Sequence, residues 1–126
     1  MKKRLLFLNC IFTILLFTFS CSKDNISQKK DDICQVKIFG TDMCGYTNAL
    51  KNDCTNAKIN FTYVDINLNN ENNYELGKIA KNYNLGSSIG VNSIQLKLPV
   101  VFMKKGNDST GLERPNIETI KQFISK

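Results

Sequence analysis

Apolar positions change their spacing several times along this chain, and each change predicts an element. From Gln35 to Phe39 a β-branched and aromatic run predicts a short strand. Gly40-Thr41-Asp42-Met43 breaks the run and predicts a loop, with Thr41 and Asp42 as helix caps. Thr47, Leu50, Cys54 and Ala57 then recur at helical spacing and mark the inner face of a first helix. Ile59 to Ile66 predicts a second strand, in which Phe61 and Tyr63 alternate with Thr62, Val64 and Ile66. An asparagine-rich turn near Asn69 leads into a second helix. It turns Leu76, Ile79, Ala80 and Tyr83 inward and tolerates Gly77, at a cost of roughly 1 kcal/mol relative to Ala.

The segment Gly86-Ser87-Ser88-Ile89-Gly90 has a helix before it and no strand, so it fails as a phosphate-cradling turn and reads as a loop. Leu96 to Met103 predicts a third strand, and Lys104 to Asp108 a hairpin turn. A short edge strand follows near Ser109 to Leu112. Pro115-Asn116 opens a last helix with Ile117, Ile120, Phe123 and Ile124 inward. The order β-α-β-α-β-β-α predicts an α/β domain: a four-stranded mixed sheet with three flanking helices.

The first 33 residues follow none of these patterns. Lys2, Lys3 and Arg4 precede an apolar run, Leu5 to Phe19, that is shorter than the ~20 residues a membrane helix needs. Residues 1–20 therefore read as a signal peptide. The ending Ser20-Cys21 resembles the lipobox of bacterial lipoproteins. That resemblance implies a lipid on Cys21 and a chain held outside the cytoplasm, on the periplasmic or surface face of a bacterial cell membrane. Residues 21–33 form a polar tether with a random-coil span of about 20 Å, and residues 34–126 form the domain.

Charge and composition narrow the chemistry. Removing residues 1–20 takes three of the 17 basic residues and none of the 11 acidic ones, so the net charge falls from +6 to +3. The remaining lysines are scattered, which leaves no footprint for nucleic acid. The chain has no histidine, so histidine-assisted nucleophiles and histidine-ligated metals are excluded. Cys34, Cys44 and Cys54 remain, an odd number, in a compartment where disulfides persist.

Cys44 opens the first helix, where unpaired N–H groups and the positive end of the helix dipole favour a thiolate. Asp42 opposes ionisation from two residues away, and Lys51 lies two turns down the helix, so the expected activation is moderate. The element order, Cys44 after the first strand and Pro99 opening the third together resemble the thioredoxin superfamily, and most closely its glutaredoxin branch. Cys44-Gly45-Tyr46-Thr47 is similar to the Cys-Gly-Phe-Ser motif of monothiol glutaredoxins.

This resemblance implies a thioredoxin/glutaredoxin fold and thiol–disulfide exchange through Cys44, with the Thr47 hydroxyl serving its thiolate. It implies that Tyr46, Leu98 and a cis Pro99 bind the substrate. It also implies a disulfide-containing or thiol-modified protein, or a small thiol, as partner, with a low-molecular-weight thiol such as glutathione as reductant and no resident metal or cofactor. The glycine pair and acidic residue that hold glutathione in that family are only weakly matched by Thr110-Gly111-Leu112-Glu113-Arg114.

Cys54 does not replace the missing second thiol. Ten helical residues separate it from Cys44 by about 15 Å, whereas a disulfide needs Cα atoms within roughly 7 Å. Strand rise and helix descent bring Cys34 and Cys54 to one level, where they either form a structural disulfide or leave Cys54 as a small buried residue. Two further readings stand beside the enzyme: a redox-inactive module that binds a peptide or protein in the Cys44/Pro99 groove, and, as the resemblance to monothiol glutaredoxins implies if taken literally, an iron–sulfur cluster held by Cys44 of two subunits with glutathione.

Overall fold

The computed structural model describes residues 33–90 and 93–126; the expected signal peptide, Cys21 and the expected tether up to residue 32 lie outside them. In chain order the elements are β1 (Gln35–Gly40), α1 (Gly45–Asn56), β2 (Thr62–Asp65), α2 (Asn70–Asn82), β3 (Ser87–Gly90), β4 (Ser93–Gln95), β5 (Val100–Lys105), β6 (Asp108–Glu113) and α3 (Ile117–Ser125). Four strands form a mixed sheet in the order β2-β1-β5-β6. β1 pairs in parallel with β2 and antiparallel with β5, and β5 pairs antiparallel with β6. The chain is thus α/β, with three helices on a four-stranded sheet. Among the described residues no helix is long and apolar enough to cross a membrane.

Strand alternation splits the core into two layers. Val36 and Ile38 of β1 and Val101 and Met103 of β5 face α1 and α3, where Leu50, Cys54 and Ile120 cover them. Phe39 and Val100 face α2 and meet Leu76 and Ile79. Lys37 points the same way and pairs with Glu75 of α2 at 2.6 Å. On β6, Gly111 leaves room for Tyr83, whose ring carbon would stand 2.8 Å from an added Cβ.

Helix ends account for most boundary differences. The second strand begins at Thr62 rather than Ile59 because α1 closes on the residues between. Lys58 takes a left-handed φ of 56°, its N–H donates to Thr55 O at 3.0 Å, and Ile59 N–H donates to Cys54 O at 2.9 Å. This paired closure ties Ile59 to the helix instead of the sheet. Asn69 caps α2 by accepting from the Asn72 N–H at 2.8 Å, and Asn116 caps α3 by accepting from the Thr119 N–H at 2.9 Å.

Two expectations are corrected. Residues 86–90 are not a plain loop: β3 pairs antiparallel with β4 in a separate two-stranded sheet. Its base is fixed from a distance by Glu113, which accepts from the N–H groups of Gly86 and Lys97. The third strand begins at Val100 rather than Leu96. Proline lacks an N–H for the ladder, and Pro99 O accepts instead from the Arg114 N–H at 2.7 Å, just past the end of β6.

Candidate active site

Cys44, rather than Thr41 or Asp42, is the N-cap of α1, with an extended backbone (φ −88°, ψ 112°). A turn bond from Cys44 N–H to Thr41 O, 3.0 Å, delivers it there. No side chain caps this helix, so its first-turn N–H groups are left facing the cysteine sulfur. They favour the anion.

Thr47 lies one turn in and is fully buried. Its position depends on Gly40, the last residue of β1. An added Cβ there would collide with Thr47 Oγ1 and stand 2.6 Å from its Cγ2. The missing side chain lets the first turn of α1 sit directly on the strand end. Thr47 Oγ1 has no hydrogen-bond partner among the described residues while Cys44 is a thiol. A thiolate at Cys44 is an acceptor to which it can donate. The Thr47 hydroxyl is the largest cause holding the Cys44 thiol below its ordinary value, followed by the Thr47 N–H, with smaller help from the Tyr46 N–H and the Arg114 cation; partial burial opposes them.

The opposite wall is the start of β5. Cys44 Sγ lies 3.9 Å from the Leu98 carbonyl oxygen, the Leu98–Pro99 peptide is cis, and Pro99 is buried. Tyr46 and Met43, close neighbours of Cys44 in the chain, are exposed apolar side chains, 62 % and 88 % accessible.

Asp42 does not act on Cys44 as an unscreened charge. Lys51 reaches back along the helix to its carboxylate at 2.7 Å, while Asn48 Nδ2 holds the Asp42 backbone oxygen at 2.8 Å. The bond from Lys51, and then the Tyr63 hydroxyl, hold the Asp42 carboxyl below the usual range. Lys51 also lies 4.0 Å over the Tyr63 ring. Burial, and then the Asp42 carboxylate, push the Tyr63 hydroxyl up to about 12, so it stays protonated.

Cys44, Tyr46, Thr47, Leu98 and Pro99 are thus brought together. Cys34 and Cys54 are not: they sit toward the other end of β1 and α1, as free thiols. Cys54 is a fully buried member of the core layer under α1, and Cys34 packs against the same layer from its edge. Burial raises both thiols above their ordinary value. Among the described residues no three His, Cys, Asp or Glu side chains gather at metal-binding distance.

Arg114 is the site residue that sequence reasoning missed. Its Nε donates to Leu98 O at 2.9 Å, and its guanidinium lies 4.2 Å over the Tyr46 ring. The signal was its register: Val100 opposes Glu113 across β5 and β6, which puts Arg114 beside Pro99. No family model, no curated protein and no solved structure matches this chain.

Proposed function

We propose that this chain is a glutaredoxin-like thiol–disulfide oxidoreductase of the thioredoxin superfamily that acts through Cys44 alone. It works outside the cytoplasm, on a bacterial membrane to which a lipid on Cys21 anchors it. The observation that carries the reading is the pairing of Cys44 Sγ with the carbonyl of a cis Leu98–Pro99 peptide, over the buried hydroxyl of Thr47. It provides a nucleophile, a donor for its anion, and a wall against which an extended substrate lies.

In the exchange, the Cys44 thiolate attacks one sulfur of the substrate disulfide. A Cys44–substrate bond forms, the substrate S–S bond breaks, and the electron pair leaves on the second sulfur. Thr47 has no thiol with which to resolve the adduct, so an outside low-molecular-weight thiolate attacks it and restores Cys44. Purified protein should reduce a mixed disulfide when such a thiol is added, and Cys44→Ser should remove all of that turnover. Undiminished activity in the variant contradicts the proposal.

The exposed Met43 and Tyr46 favour one second reading, a module that holds a protein partner at the same groove without turnover. A Cys44 pKa at the free value of ~8.5, with no exchange activity, would establish it instead.

A further inference from the structure

Arg114 differs from the other cation near Cys44. Lys51 is occupied by Asp42 at 2.7 Å. Arg114 has no carboxylate partner among the described residues, and its terminal guanidinium nitrogens reach no acceptor among them. Yet its side chain is held in place. Nε is bound to Leu98 O at 2.9 Å, the plane rests 4.2 Å over Tyr46, and the main-chain N–H is bound to Pro99 O at 2.7 Å. The backbone adopts a left-handed φ of 47°. An arginine already oriented loses little freedom when its fork takes up a planar anion.

Its distance from the nucleophile is bounded by a shared atom. Arg114 Nε and Cys44 Sγ both contact Leu98 O, at 2.9 and 3.9 Å, so they lie no farther apart than those two contacts laid end to end. A carboxylate a few bonds from the sulfur under attack falls within reach of the fork.

We propose that Arg114 makes the Cys44 site selective for disulfides that carry a carboxylate close to the attacked sulfur, whether on a small thiol or on an acidic polypeptide segment. This rests on Cys44 being the exchange nucleophile. The step is the one given above: Cys44 S⁻ and R–S–S–R yield Cys44–S–S–R and R–S⁻, with no further oxidant. Arg114 binds the R carboxylate and takes no part in bond exchange.

The test is single-turnover reaction of the reduced full-length chain with three small disulfides: dithiodipropionate (anionic), bis(2-hydroxyethyl) disulfide (neutral) and cystamine (cationic). The adduct on Cys44 is followed by mass, and each rate is divided by that of free 2-mercaptoethanol to remove intrinsic reactivity. We expect anion over neutral over cation, with an anion-to-cation ratio of about tenfold at ~0.01 M salt. It should shrink toward unity at ~1 M, where the screening length is only ~3 Å. Arg114→Gln should flatten the order and Arg114→Lys should keep part of it. Because all three disulfides meet the same thiolate, the ratio does not depend on how far either variant shifts Cys44 ionisation.

Matched peptide disulfides flanked by Glu or by Lys separate the two sources. Preference in the small set alone assigns a small carboxylated thiol, and preference among the peptides assigns an acidic polypeptide; either supports the proposal. Equal normalised rates in both sets, or an order that Arg114→Gln leaves intact, overturn it while exchange at Cys44 stands. Absence of any adduct on Cys44 overturns both.

Discussion

Cys44 Sγ lies 3.9 Å from the carbonyl oxygen of Leu98, a residue 54 positions further along the chain. Two elements with no local connection, the first turn of α1 and the start of β5, meet at that contact. The sheet order makes this possible, because β1 and β5 are neighbours and their ends coincide where Phe39 opposes Val100. Helix amides and the Thr47 hydroxyl favour the anion from one side, while Leu98 and Arg114 define the wall on the other.

Thr47→Val separates stability from reactivity. The variant keeps the shape of a fully buried side chain and removes a hydroxyl that lacks a partner in the thiol state. Losing an unsatisfied buried group leaves stability unchanged or raises it by about 1 kcal/mol. The Cys44 pKa should rise, since its largest cause of depression is gone. Urea unfolding and the pH dependence of Cys44 alkylation measure the two effects; an unchanged pKa would remove Thr47 from the site.

Gly40→Ala should be harmful although alanine is small. Its Cβ would meet Thr47 Oγ1 and Cγ2, forcing α1 away from β1. Overpacking of this kind costs about 1–3 kcal/mol, readable in the urea midpoint. A neutral substitution would mean that the strand end and helix are not in contact.

The reduced protein should gain stability from Cys44 as pH rises. A thiol whose folded pKa lies below its unfolded value stabilises the native state fully above the unfolded pKa of ~8.5, and the contribution is lost as pH falls through the folded pKa. The stability difference between the parent and Cys44→Ser should therefore grow with pH and level off above ~8.5. A difference that shrinks over that range contradicts the site electrostatics.

Glu113→Ala should loosen the small hairpin while sparing the main sheet. It removes the acceptor of the Gly86 and Lys97 N–H groups. Bonds to a charged group of this kind contribute ~1.5 kcal/mol or more, so hydrogen exchange at those two amides should quicken by about tenfold. Amides of β1 and β5 should exchange as before. Equal acceleration throughout would show that Glu113 supports the whole fold.

The sheet and its helices were legible because their signals are local. Val36, Ile38 and Phe39 carry strand character, Leu76, Ile79 and Ala80 recur at helical spacing, and Asn69 and Asn116 mark helix starts. Cys44 and Pro99 were legible as a pair only through their resemblance to a family. What escaped was set by tertiary contacts. The β3–β4 hairpin is pinned by a glutamate from a distant strand, and Lys51 reaches back to neutralise Asp42. Arg114 enters the site through strand register rather than any motif.

The most direct test of the central claim is mass mapping of all cysteines after the reduced protein meets one equivalent of a small disulfide. The account predicts a mixed disulfide on Cys44 that persists until an outside thiol is added. Cys34 and Cys54, whose burial raises their thiols, should stay unmodified. An intramolecular bond from Cys44 to either of them, or an adduct that forms on Cys34 and leaves Cys44 free, would contradict it.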